Sequence, residues 1–96
     1  MTKEDILTFL REHKDELNQK YAVTQIGLFG SYAKDKATKD SDVDVIVQLD
    51  KPNLLVLSAI RQELQEAFNT PVDVIRLRDT MNPFLKNQIA KEAIYV

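Results

Sequence analysis

The chain contains no cysteine, which excludes disulfides, thiolate catalysis and cysteine-based zinc sites and leaves the redox compartment open. Its one histidine is His13. With no second imidazole, a histidine-based metal or nucleophilic site is not expected, and His13 is read as decoration on a helix. No apolar run approaches the length needed to span a bilayer. Met1 to Asp5 lead straight into a charged amphipathic segment, so no secretory leader is expected and the cytoplasm is the default location. A formal net charge of −2 argues against broad attraction to polyanions, so neither direct nucleic-acid binding nor a membrane role is expected. Lys34, Lys36 and Lys39 nevertheless form a local basic cluster.

What is present is ordinary in bulk: 96 residues, 44% hydrophobic and 29% charged, the composition of a globular domain. A chain of this length forms one domain, residues 1–96, burying somewhat over about 60% of its unfolded surface. It is too short for a separate substrate lobe. The second half of any binding site must therefore come from a partner.

Thr2 with Asp5 reads as a capping box, and Ile6, Leu7, Leu10, Lys14 and Leu17 track one face of a helix from about Lys3 to Gln19. Val23 to Phe29 is strand-like, with Gly27 marking a bulge or a close backbone approach. Tyr32 to Ser41 is polar and lysine-rich, a loop with room for one helical turn. A second strand covers Val43 to Leu49. Leu57, Ile60, Leu64, Ala67 and Phe68 keep helical spacing until Asn69, Thr70 and Pro71 stop it. A third strand runs from Val72 to Leu77. Asn82 as N-cap and Pro83 at the first position open a last helix through about Lys91, with Phe84, Leu85, Ile89 and Ala93 expected to face inward. Ile94 to Val96 can add a short edge strand. The expected fold is α/β (α+β): a small mixed sheet of three or four strands covered by helices.

Within that frame two carboxylates stand out. Strand alternation puts Asp42 and Asp44 on one face at the start of the buried run Val43-Asp44-Val45-Ile46-Val47, with Cα atoms about 7 Å apart. Asp73 sits between Val72 and Val74 in a third apolar run, where a solvent-facing carboxylate is tolerated at an edge. Three clustered carboxylates repel one another unless hard cations lie between them. Magnesium suits such a set, since it takes one or two carboxylates and fills its remaining positions with water and phosphate oxygens. Eleven residues before Asp42, Gly30 and Ser31 close the first strand as a turn able to present backbone N–H groups to phosphate. An EF-hand starting at Asp40 is excluded, because Val45 stands where glycine is needed and Lys51 where the bidentate glutamate belongs.

Leu28-Phe29-Gly30-Ser31, Ser41-Asp42-Val43-Asp44-Val45-Ile46-Val47 and Val72-Asp73-Val74-Ile75 resemble, in order and spacing, the three signature strands of the minimal nucleotidyltransferases of the DNA polymerase β-like superfamily. The resemblance covers nearly the whole chain and implies the nucleotidyltransferase fold. It further implies that Asp42 and Asp44 hold two magnesium ions on an ATP triphosphate, and that Gly30 and Ser31 contact its β and γ phosphates. Asp73 would complete one metal's coordination and help deprotonate the incoming hydroxyl. Small members of this kind are typically antitoxins that add AMP to a tyrosine of a cognate HEPN-type ribonuclease toxin. The chain departs from the family pattern after Gly-Ser: an arginine and a later Arg-Gly pair are usual, whereas Tyr32, then Lys34 and Asp35, stand here. Lys34 can serve phosphate as a point charge without the bidentate arginine geometry. Two rival readings accompany this one. A binding-only antitoxin would keep the fold and block the toxin by docking. Transfer to a small molecule would need an enclosing acceptor pocket that one short lobe struggles to build.

Overall fold

The computed structural model describes residues 1–96. Helix α1 (Lys3–Tyr21) leads into strand β1 (Val23–Phe29), a four-residue helix α2 (Gly30–Ala33), strand β2 (Val43–Leu49) and helix α3 (Leu54–Phe68). Strand β3 (Val72–Arg76), helix α4 (Pro83–Glu92) and strand β4 (Ile94–Tyr95) complete it. The sheet order is β3-β2-β1-β4, with β2 parallel to β3 and the other pairs antiparallel. This is a mixed sheet within the three or four strands expected, four in number, with β3 at one edge and β4 at the other. No helix is long and apolar enough to cross a membrane.

Local chemistry sets the element ends. The Thr2 hydroxyl accepts from the Asp5 N–H while the Asp5 carboxylate accepts from the Thr2 N–H, closing the capping box. α1 runs two residues past the expected Gln19 because Ala22, not a glycine, supplies the left-handed cap at φ 58°, a cost the sequence does not flag. Asn69 does the same for α3 at φ 51°. The Asn82 side chain accepts from the Phe84 and Leu85 N–H groups, with Pro83 in the first turn of α4, as expected. β3 ends at Arg76 rather than Leu77, although the Leu77 N–H still donates to the Val47 carbonyl.

The sheet buries its two faces unequally. On one, Val23, Ile26, Leu28, Val43, Val45 and Val47 pack with Ile6, Leu10 and Leu17 of α1 and Ile60, Leu64 and Phe68 of α3. Each fully buried aliphatic side chain there contributes roughly 1.5–3 kcal/mol. The other face has only a small cluster, Ile46 with Met81 and Ile89, against which Phe29, Ile75, Leu77, Leu85 and Ala93 lie. Phe84 is the exception to the inward face expected of α4: its side chain is 72% exposed. One short helix over four strands leaves part of that face bare. Gly27 marks a close approach rather than the bulge, which falls between Val23 and Gln25: a Cβ at position 27 would lie 2.8 Å from the Ile94 carbonyl oxygen.

Candidate active site

The bare part of that second face carries the carboxylates. Along β2, Val45 and Val47 point into the large core while Ile46 points to the α4 side, so alternation puts Asp44 on the α4 side as well. Along β3, Val72 joins the large core and Ile75 the small one, which puts Asp73 on the same side. The register sets Asp44 opposite Asp73 across the parallel ladder and opposite Phe29 across the antiparallel one. Asp42 precedes β2 on the same alternation. The three candidate ligands therefore share one face at one end of the sheet, the face on which Ile46 packs with Met81, Leu85 and Ile89.

Asp44 is half-buried, whereas Asp42 and Asp73 are exposed. Burial, first, and then the charges of Asp73 and Asp42 push the Asp44 carboxyl above the usual aspartate range. None of the three carboxylates has an ion-pair partner. No trio of acidic or histidine side chains is drawn close around a single point. An octahedral magnesium that takes one or two carboxylates and leaves its other positions to water and phosphate does not need such a closed cage. The donor set, all hard carboxylate oxygen, fits magnesium.

Gly30 is tied to this cluster by sterics. It has φ +75°, and a Cβ there would run into the Asp44 carboxylate, with Asp44 Cγ only 3.1 Å away. Glycine is thus required twice, for its backbone conformation and for the space that Asp44 occupies. Ser31 follows in the first turn of α2, whose early N–H groups have no partner within the helix.

The residues after Gly30-Ser31 behave differently from one another. Tyr32 is 8% exposed and belongs to the large core, so it cannot substitute for a phosphate-binding arginine. Lys34 Nζ lies 3.1 Å from Glu92 of α4; its charge is already answered in this conformation. Asp35 adopts φ 58°, the left-handed region that favours the glycine usual there, and its carboxylate pairs with Lys3 at 2.9 Å. The negative charge placed after the Gly30-Ser31 turn is thus answered by α1, although so exposed a pair adds little stability. Sequence spacing gave no signal for Glu92, 58 positions from Lys34, or for the packing of Met81 with Ile89. His13 is stacked on Phe9 with ring centroids 3.9 Å apart and takes no part in the site.

None of the surface hollows is lined by Asp42 or Asp44; the carboxylate edge is open. The arrangement offers an open edge carrying carboxylates, a turn that approaches it closely and no enclosed chamber for a small acceptor.

Comparison with known proteins places this geometry in a family. Residues 10–96 match the family model described as nucleotidyltransferase domain. A Methanocaldococcus jannaschii protein named "Putative protein adenylyltransferase" is 36% identical over 96 residues, covering 99% of this chain and 98% of the relative. Protein adenylyltransferase MntA of Thermococcus cleftensis is 32% identical over 97 residues, covering 100% and 97%. Among solved structures, a "putative minimal nucleotidyltransferase" superposes with a TM-score of 0.79 at 28% identity over 98% of this chain and 95% of that one. A complex of a tri-AMPylated Shewanella oneidensis HEPN toxin with its MNT antitoxin has a chain of the same fold, with a TM-score of 0.62 at 23% identity over 97% of this chain and 66% of that one. With the signature strands, the carboxylate register and full-length relatives in agreement, the chain belongs to the nucleotidyltransferase domain family.

Proposed function

We propose that residues 1–96 act as one minimal nucleotidyltransferase domain that moves AMP from ATP to a tyrosine hydroxyl of a HEPN-type ribonuclease partner and thereby neutralises it. The observation that carries this reading is the register that sets Asp44 between the Gly30 strand end and Asp73, three carboxylates on one open face with no counter-charge. Support for a protein acceptor comes from the open edge, from the relatives named protein adenylyltransferase and from the AMPylated toxin beside a chain of this fold.

In this reading Asp42, Asp44 and Asp73 hold two magnesium ions. Bound there, magnesium supplies charge neutralisation of the triphosphate and of the oxygens that gain charge during transfer. Gly30 and Ser31 seat the β and γ phosphates through backbone N–H groups, and the missing side chain at Gly30 leaves room for the Asp44 carboxylate beside that turn. Lys34 reaches the phosphates only by leaving Glu92. Asp73, on the exposed edge strand, takes the proton as the tyrosine oxygen bonds to the α-phosphorus. The bond from that phosphorus to its bridging oxygen breaks, and pyrophosphate leaves.

A labelling experiment tests this. With ATP labelled at the α-phosphate, label should appear on the purified cognate toxin in magnesium and be absent with a chelator; label at the γ-phosphate should leave as pyrophosphate. Transfer of γ label would mean phosphoryl transfer. Absence of any transfer, with the toxin still silenced in the complex, would leave only the binding role.

A further inference from the structure

The chain has four arginines, and three of them, Arg61, Arg76 and Arg78, border the free edge of β3. Their settings differ. Arg61 Nε donates to the Val72 carbonyl at 3.1 Å, and the Val72 N–H donates to the Gln65 side chain at 3.1 Å, so α3 stoppers the first outward-facing residue of the strand. The Val43 N–H donates to the Pro71 carbonyl and the Leu77 N–H to the Val47 carbonyl, which fixes the odd-numbered residues of β3 as those paired with β2. Val74 and Arg76 then turn their backbone groups outward, and no side chain stoppers them.

Beside this open stretch lie two adjoining hollows of about 230 and 220 Å3 that share Leu54 and Leu57; Asp73 borders the first, and Arg76 and Arg78 border the second. Leu54 and Leu55 are 84% and 80% exposed, two adjacent large apolar side chains that the fold does not use. Neither Arg76 nor Arg78 has an acidic partner.

We propose that the open edge of β3, with Leu54, Leu55, Arg76 and Arg78, is the docking surface for an extended, acidic segment of the acceptor protein carrying aliphatic side chains. Added to the edge as a further strand, such a segment satisfies the Val74 and Arg76 backbone, places aliphatic groups in the hollows and pairs its carboxylates with the two free guanidinium groups. A second copy of this chain does not fit. Pairing two open β3 edges would crowd Arg76 and Arg78 of both copies along one short ladder. The surface also begins at Asp73, so a protein docked there is held at the end of the sheet where the carboxylates lie. The inference rests on the reading above in taking the docked protein to be the acceptor.

Calorimetric titration of the purified cognate toxin into the full chain tests it, comparing wild type with Arg76→Glu/Arg78→Glu and, separately, with Leu54→Ser/Leu55→Ser. Leu54 and Leu55 are too exposed for their loss to disturb the core, and circular dichroism with an unchanged magnesium-ATP thermal shift establishes an intact fold and nucleotide site. Each pair should weaken toxin binding by about thirtyfold or more. Binding within threefold of wild type in both would overturn the proposal, as would a concentration-dependent dimer of this chain abolished by the arginine pair. Loss of binding to a labelled RNA with unchanged toxin affinity would overturn it in favour of nucleic acid. Variants that lose toxin binding, with a wild-type toxin that stays unmodified, support the docking surface and sink the transfer reading. Unchanged binding and unchanged adenylate transfer in the variants sink the docking surface alone.

Discussion

Asp44→Asn should abolish adenylate transfer and leave the protein at least as stable as wild type. If Asp44 holds metal as proposed, its loss should slow transfer by about three orders of magnitude, or ~4 kcal/mol of barrier. Stability moves the other way because Asp44 is disfavoured as an anion where it sits: burial, then Asp73, then Asp42 raise its proton affinity in the folded state. The unfolded chain therefore releases this proton at lower pH than the folded one. As pH rises through the window between the two values the folded state loses stability, and above the raised value the full cost is present. Asparagine removes that cost. The melting temperature of Asp44→Asn should equal or exceed wild type at neutral pH, and the difference should vanish near about pH 3, where aspartates are protonated in both states. Thermal melts at the two pH values beside a transfer assay measure both effects; retained transfer, or a lower melting temperature at neutral pH, would contradict the assignment.

Gly30→Ala should damage site and fold together. The position has φ +75°, and the new methyl would collide with the Asp44 carboxylate. Left-handed backbone costs a non-glycine residue about 1–2 kcal/mol, and, on the proposed role of Asp44, displacing its carboxylate by about 1 Å costs about a hundredfold in rate. Gly27→Ala is the matched control, since its methyl meets the Ile94 carbonyl and the Tyr95 ring instead. It should destabilise the β1–β4 pairing comparably while sparing transfer by the fraction that remains folded. Transfer by folded Gly30→Ala equal to that of folded Gly27→Ala and of wild type would show that Gly30 matters only for stability.

The strands and long helices were legible because each carries one period throughout. Val43, Val45 and Val47 alternate into the large core, and Ile60, Leu64 and Phe68 keep helical spacing. The carboxylate face was legible for the same reason, Asp42 and Asp44 sharing strand parity. What the sequence withheld depends on packing between distant segments. Phe84 has the period of a core residue, but in the first turn of α4 it is Leu85 that packs on the Ile46–Met81–Ile89 cluster, and the Phe84 ring stays in solvent. The end of α1 was missed because alanine and not glycine takes the left-handed cap. Lys34 has the composition of a phosphate-steering residue; its pairing with Glu92 exists only because α4 returns beside α2. Asp35 departs from the family pattern with a negative charge, and the fold answers that charge with Lys3. That β3 keeps an open edge is hinted at in the sequence only by Asp73; the sheet order shows it.

The most direct test of the account is the intact mass of the cognate toxin after incubation with this protein, ATP and magnesium, followed by complete removal of this protein. The account predicts a toxin heavier by one or more adenylate groups, mapped to tyrosine, that stays inactive as a ribonuclease once freed, and no mass change when Asp44→Asn is used. A toxin of unchanged mass that regains ribonuclease activity on separation would contradict it.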